Sequence, residues 1–182
     1  MIKLTKVIAI NAVSGGGKTT TTNELLKRLP NSKALYFDDR NYDEISGIHD
    51  LCKWELEDGA DYSQWNLQEL VSDINALMLE NLDYILLDYP FSYLQKQVSG
   101  FIALSVFIDT PLDMCVARRI LRDFKDRTVD EIAGDMDWYI KRGRMAYVQS
   151  AITGRADADL VIDGSLPLND ICNLILDRID LI

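Results

Sequence analysis

The chain has 182 residues, 48% of them apolar and 26% charged, which is enough for one domain with a proper buried core. Its 29 acidic and 19 basic side chains leave a formal net charge of −10, which argues against nucleic acid or an anionic membrane surface as a partner. No apolar run reaches bilayer-spanning length, and residues 1–7 lead straight into a strand-like run without a signal-peptide cleavage pattern, so a cytoplasmic address is expected. Cys52, Cys115 and Cys172 are far apart and form no CxxC pair, which predicts reduced packing residues rather than disulfides or zinc ligands.

The first apolar run, 7–10, is nearly continuous, as expected of a strand buried on both faces. It runs into Ala12-Val-Ser-Gly-Gly-Gly-Lys-Thr19 and then a helical pattern over 19–29. This is the P-loop pattern, with Ala12 in place of its first glycine. Ser14 and the glycines Gly15, Gly16 and Gly17 let the backbone turn tightly and aim N–H groups at phosphate oxygens. The helix that opens at Lys18, Thr19 and Thr20 adds its positive N-terminal end. Lys18 is expected to reach the β- and γ-phosphates of ATP, and Thr19 to bind Mg²⁺.

A second strand, 34–37, ends in Asp38-Asp39-Arg40-Asn41-Tyr42. In parallel α/β sheets ligands bind at the carboxyl ends of the strands, so Asp38 is the candidate base for an acceptor hydroxyl, with Asp39 as the alternative. From Asp38 to Asp61 nine acids face only Arg40 and Lys53, which predicts an acceptor that is not already phosphorylated. Tyr42, Trp54, Tyr62 and Trp65 in this stretch could stack on a flat base or simply pack in the core. A helix is predicted over 66–79 and a strand over 84–87, which closes on Asp88, a candidate magnesium ligand of the Walker-B type.

After a strand at 103–108 and a helix at 112–122, residues 118–127 carry five basic and two acidic side chains, a local excess of positive charge. Arg118 and Arg122 share a helix face, and Arg119 and Arg127 complete the set. These arginines are expected to sit on a mobile lid over the triphosphate, spanning about 118–145. A helix over 130–149, a strand over 160–162 and a helix over 168–179 complete the alternation, which predicts a parallel sheet covered on both sides within one domain.

Gly15-Gly-Gly-Lys-Thr-Thr20, the Asp38-Asp39 pair, Ala117-Arg-Arg-Ile-Leu-Arg-Asp123 with Arg127, and Ala156-Asp-Ala-Asp-Leu-Val-Ile-Asp163 together resemble the uridine kinase and nicotinamide riboside kinase family. The resemblance implies a P-loop NTPase three-layer α/β/α sandwich with sheet order 2-3-1-4-5 and a helical lid. It implies a nucleoside-like small-molecule acceptor, Asp38 as base for the ribose 5′-hydroxyl, and Arg119, Arg122 and Arg127 as lid residues. Asp61, in Gly59-Ala-Asp-Tyr-Ser-Gln-Trp65, loosely matches the segment that holds the ribose in that family. The chain departs from the family pattern in Asp88-Tyr89, Val129, Arg40 and Asn41. A nucleoside monophosphate kinase and an ATP-binding regulatory switch are the competing expectations. The first would need arginines for the acceptor phosphate, and Arg40 is the only one between residues 30 and 100.

Overall fold

The computed structural model describes residues 4–182. The leaderless start expected at residues 1–7 falls partly on residues 1–3, which lie outside the described residues. Among the described residues no helix is long and apolar enough to cross a membrane.

Strand β1 (Lys6–Asn11) is followed by helix α1 (Lys18–Arg28) and strand β2 (Ser32–Tyr36). A 3₁₀ turn at Phe37–Asp39, helices α2 (Tyr42–Ile45) and α3 (Leu51–Leu56), and a second 3₁₀ turn at Tyr62–Gln64 fill the acid-rich stretch. Then come α4 (Gln68–Met78), β3 (Tyr84–Asp88), α5 (Lys96–Ser99), β4 (Ile102–Asp109) and α6 (Leu112–Asp123). Helix α7 (Val129–Trp138) passes through a π-helical turn (Tyr139–Gly143) into α8 (Arg144–Ala156), and β5 (Leu160–Asp163) and α9 (Leu168–Ile179) close the fold.

The five strands pair in parallel in the order β2-β3-β1-β4-β5, as the family resemblance implied. Parallel pairing follows from the helical crossovers, and burial on both faces explains the unbroken apolar runs of the central strands β1, β3 and β4. Alternate residues of β1 serve opposite cores. Val7 and Ala9 join Ile85, Leu87 and the α4 residues Leu70 and Ile74. Ile8 and Ile10 join Leu86, Val106, Leu25 of α1 and Ile175 of α9. At about 25 cal/mol per Å² of apolar surface, these two layers supply most of the favourable term for folding.

The helix predicted over 130–149 is longer and is interrupted. It starts one residue earlier because Thr128 and Glu131 form a reciprocal capping box, and it continues to Ala156. The π turn in its middle brings Gly143 against Trp138, where an added Cβ would lie 2.5 Å from the indole Cζ3. All three cysteines are free and buried, as expected.

Candidate active site

The loop between β1 and α1 is built on left-handed glycines. Gly15 has φ +79° and Gly17 φ +103°, a region that L side chains rarely adopt. A Cβ on Gly15 would also lie 2.2 Å from the Cys115 carbonyl oxygen, so α6 can approach the loop only over glycine. Thr110 Oγ1 donates to the Gly16 carbonyl at 2.8 Å and pins the loop to the end of β4. No side chain caps α1, which leaves its positive end open toward an anion. Ser14, Lys18, Thr19, Thr20, Arg118 and Arg122 all line the cavity above this loop, of about 580 Å³.

Thr19 Oγ1 donates to Asp88 Oδ2 at 2.5 Å, joining the first turn of α1 to the end of β3. Asp88 is 3% exposed, and its Oδ1 is buried with no hydrogen-bond partner. Burial raises its pKa, against the opposing pull of Lys18 and the Thr19 hydrogen bond, while Asp38 and Asp39 nearby raise it further. A buried carboxylate oxygen without a partner, beside a hydroxyl and several acids, is a place where a divalent cation would be stabilised.

A second cavity, of about 490 Å³, opens on the other side of Lys18 and is walled by aromatic rings. Phe37 anchors this wall. Its ring centroid lies 5.2 Å from that of Phe91 and 5.7 Å from that of Trp65, and Trp54 meets Trp65 edge-on at 5.6 Å. Because Phe37 is locked into this cluster, the next residue, Asp38, is held at the cavity mouth. Helices α3 and α8 close the far side, bringing Glu55 and Ser150 to the lining. The two cavities share Val13, Ser14, Lys18 and Asp38.

The arginine-rich segment divides between the two. Arg118 and Arg122 line the first cavity, and Arg119 lines the second. Arg119 is held there by Asp135 of α7, Nη1 donating to Oδ1 at 3.2 Å, with both side chains largely buried. Arg127 lines neither cavity, and pairs instead with Glu131 at 3.0 Å on an exposed turn. Three expected acceptor residues, Tyr42, Asp61 and Asp39, also line neither cavity. Tyr42 is 1% exposed, its ring 4.9 Å from that of Phe37, because the core claims it. Asp61 accepts from Ser63 N at 2.9 Å and is spent on capping its own turn. Asp39 sits one step further along the 3₁₀ turn and is exposed.

Trp65 does line the second cavity, together with Trp54 and Tyr62. Glu55, Trp138, Tyr147 and Ser150 line it too and carry no motif. Glu55 was visible only as one of nine acids, and the other three come from helices whose facing is set by packing. The Thr128-x-x-Glu131 spacing is a capping box that fixes where α7 begins.

A family model, Phosphoribulokinase / Uridine kinase family, matches residues 61–172, taking in β3, β4 and the arginine-bearing α6. A uridine kinase of Staphylococcus aureus (strain JH9) is 26% identical over 191 residues, which cover 88% of each chain. Among solved structures, thymidylate kinase from Candida albicans matches at a TM-score of 0.63 and 15% identity, over 98% of this chain and 92% of that one. Deoxyadenosine kinase from M. mycoides matches at 0.52 and 14%, over 97% and 100%. At these identities the two structures show the shared α/β P-loop fold. The family model covers more than half of the chain, which therefore belongs to the phosphoribulokinase / uridine kinase family of P-loop kinases.

Proposed function

We propose that this chain is a cytoplasmic, single-domain kinase that transfers the γ-phosphoryl group of ATP, with Mg²⁺, to a hydroxyl of an unphosphorylated, nucleoside-like acceptor. The observation that carries the reading is the meeting of the two cavities at Ser14, Lys18 and Asp38. A phosphate-binding loop on one side and an aromatic-walled chamber on the other would bring donor and acceptor together beside one carboxylate.

In this reading the glycine loop and Lys18 hold the triphosphate, and Leu166, Leu168 and Ile171 at the other end of the first cavity pack on the adenine. Thr19 and the unpartnered Oδ1 of Asp88 fit a magnesium site. Among the described residues no cluster of three or more acidic, histidine or cysteine ligands forms, so the ion would rest on these few oxygens and on the phosphates, as Mg²⁺ commonly does. Bound Mg²⁺ would offset charge on the β- and γ-phosphates. Asp38 orients the acceptor hydroxyl and takes its proton as that oxygen bonds to the γ-phosphorus. The bond from phosphorus to the β,γ-bridging oxygen breaks, and ADP leaves. Lys18, Arg118 and Arg122 offset the charge that spreads over the transferred group, with residues 118–145 acting as a lid. Arg119, on the acceptor side, guides the acceptor toward that group.

Arg40, the one arginine between residues 30 and 100, offers nothing to an acceptor phosphate. Arg40 is engaged with Glu69 and with Asp73, the latter at 2.6 Å, and lines neither cavity. The test is ATP consumption with Mg²⁺ across nucleosides, nucleoside monophosphates, sugars and vitamin precursors. Stimulation by an unphosphorylated hydroxyl compound, with its phosphate ester as product, is expected. Stimulation by monophosphates alone would overturn the acceptor class, and ATP binding without acceptor-dependent turnover would favour a regulatory switch.

A further inference from the structure

The second cavity holds a carboxylate that the transfer step does not use. Glu55 lines it, away from the junction with the phosphate cavity, and its Oε1 is buried without a hydrogen-bond partner. The nearby cations are committed elsewhere. Lys53 pairs with Asp58 at 3.6 Å, Arg142 spans Asp50 at 2.9 Å and Glu57 at 3.7 Å, and the terminal nitrogens of Arg119 are held by Asp135. The groups that face Glu55 are Tyr62, Cys52 and the Ser150 hydroxyl, of which only Ser150 favours its charged form.

Three hydrogen-bond donors lining the same cavity are also unpartnered: the two indole N–H groups and, toward the phosphate side, Arg119 Nε. Trp54 Nε1 and Trp65 Nε1 are buried without acceptors, on residues that are 5% and 3% exposed. Proteins rarely leave such groups unpaired, because each forfeits its hydration. Two indole donors and one carboxylate acceptor amid tilted and edge-on rings are the complement of a flat heterocycle. Its ring carbonyl or nitrogen would accept from the indoles, and its amino group would donate to the carboxylate.

Resting on the acceptor reading above, we propose that Glu55 is the specificity-determining residue of this site. It binds the exocyclic amino group of the acceptor's base, so the acceptor is a nucleoside with an amino-bearing base. The carboxylate selects by exclusion as well as attraction, because a base lacking the amino group leaves the buried Oε1 of this half-buried side chain unpaired.

Matched pairs test this: cytidine against its 4-deamino analogue, and adenosine against its 6-deamino analogue. Each pair presents the same ribose hydroxyls. In the wild-type protein the amino member of at least one pair is expected to be favoured at least about tenfold in kcat/KM, the scale for losing a hydrogen bond to a buried charge. In Glu55→Gln that preference is expected to fall below about threefold, chiefly through KM, since the side chain keeps its shape but loses its charge. A wild-type protein that treats both members of both pairs alike, or a variant that keeps the full preference, overturns the proposal. The wild-type comparison needs no variant to fold.

Quenching of tryptophan emission separates this proposal from the transfer reading. No phosphate ester from any nucleoside, with amino-selective quenching that Glu55→Gln abolishes, upholds Glu55 and overturns the transfer. Equal ester formation from both members upholds the transfer and overturns Glu55. Neither ester nor quenching overturns both.

Discussion

Thr19 and Asp88 lie 69 positions apart in the chain, and their side chains meet at 2.5 Å, where α1 starts and β3 ends. The register that pairs Ile10 with Asp88 across β1 and β3 makes this contact possible. The bond satisfies Oδ2 and leaves Oδ1 without a partner in a site where burial raises the pKa.

That unpaired oxygen has a measurable consequence for stability. A carboxyl group whose folded pKa lies above its unfolded value of 3.8 binds protons longer in the folded state. Its contribution is fully present below 3.8 and is lost as pH rises through the folded pKa. Asp88→Asn is therefore expected to melt higher than the wild type at neutral pH without nucleotide, with the gap closing as pH falls toward 4. Glu55→Gln should behave in the same way, since burial also raises Glu55 from 4.5. Thermal melts from pH 4 to 8 check both. A gap that widens toward low pH would count against the buried, unpaired carboxylate.

Asp38→Asn is expected to bind ATP nearly as well as the wild type and to turn over at least about 10²-fold more slowly, the usual scale for a positioned base. Lys18→Ala is expected to weaken both binding and turnover. Nucleotide binding by calorimetry and initial rates on the best acceptor separate the two. Near-normal turnover in Asp38→Asn would remove Asp38 from the base role.

Gly15→Ala meets two obstacles at once, a φ of +79° and a Cys115 carbonyl oxygen 2.2 Å from the new Cβ. The added methyl must displace α6 or unwind the loop. A stability loss of at least about 1–2 kcal/mol is expected, together with weakened ATP binding. Denaturant titration with parallel ATP binding measures both, and an unchanged ATP affinity would argue that the loop does not hold the phosphates.

The chain has three tryptophans, and all of them, Trp54, Trp65 and Trp138, line the second cavity. Acceptor binding is therefore expected to change the intrinsic emission strongly, and ATP alone much less. In Asp38→Asn, which binds without rapid turnover, the acceptor signal should persist. An acceptor that is phosphorylated yet leaves the emission unchanged would place acceptor binding elsewhere.

Arg119 and Arg127 belong to the same basic segment but have different surroundings. Arg119 and Asp135 have side chains only 13% and 18% exposed, whereas those of Arg127 and Glu131 are 60% and 45% exposed. Arg119→Ala strands a buried carboxylate and is expected to cost about 2 kcal/mol or more of stability. Arg127→Ala should leave the thermal midpoint where it is. Equal effects would mean that α6 and α7 are not joined through Arg119.

The residues themselves determine the phosphate loop, because its chemistry is local. Gly15 to Thr20 are contiguous, and the glycine backbone, the lysine and the threonine act within one turn of each other. The central strands β1, β3 and β4 were equally legible, since burial on both faces writes itself as a short unbroken apolar run, whereas the edge strand β2 spans Ser32–Tyr36 rather than 34–37 and buries none of its residues. Sheet order 2-3-1-4-5 came with the family resemblance, and the parallel pairing agrees with it. The acceptor side was much less legible. Which of Tyr42, Trp54, Tyr62 and Trp65 packs inside and which borders the cavity depends on how α3, the 3₁₀ turns and α8 close on one another. Nothing in residue type separates Tyr42, taken into the core, from Tyr62, left at the cavity wall. Glu55 is one acid among nine in the sequence; the tertiary structure half-buries it and pairs its neighbours with Lys53 and Arg142. A motif whose groups act along one stretch of backbone can be read in order, but a cavity assembled from segments as far apart as Asn11 and Gly154 exists only once packing has chosen which side chains face it.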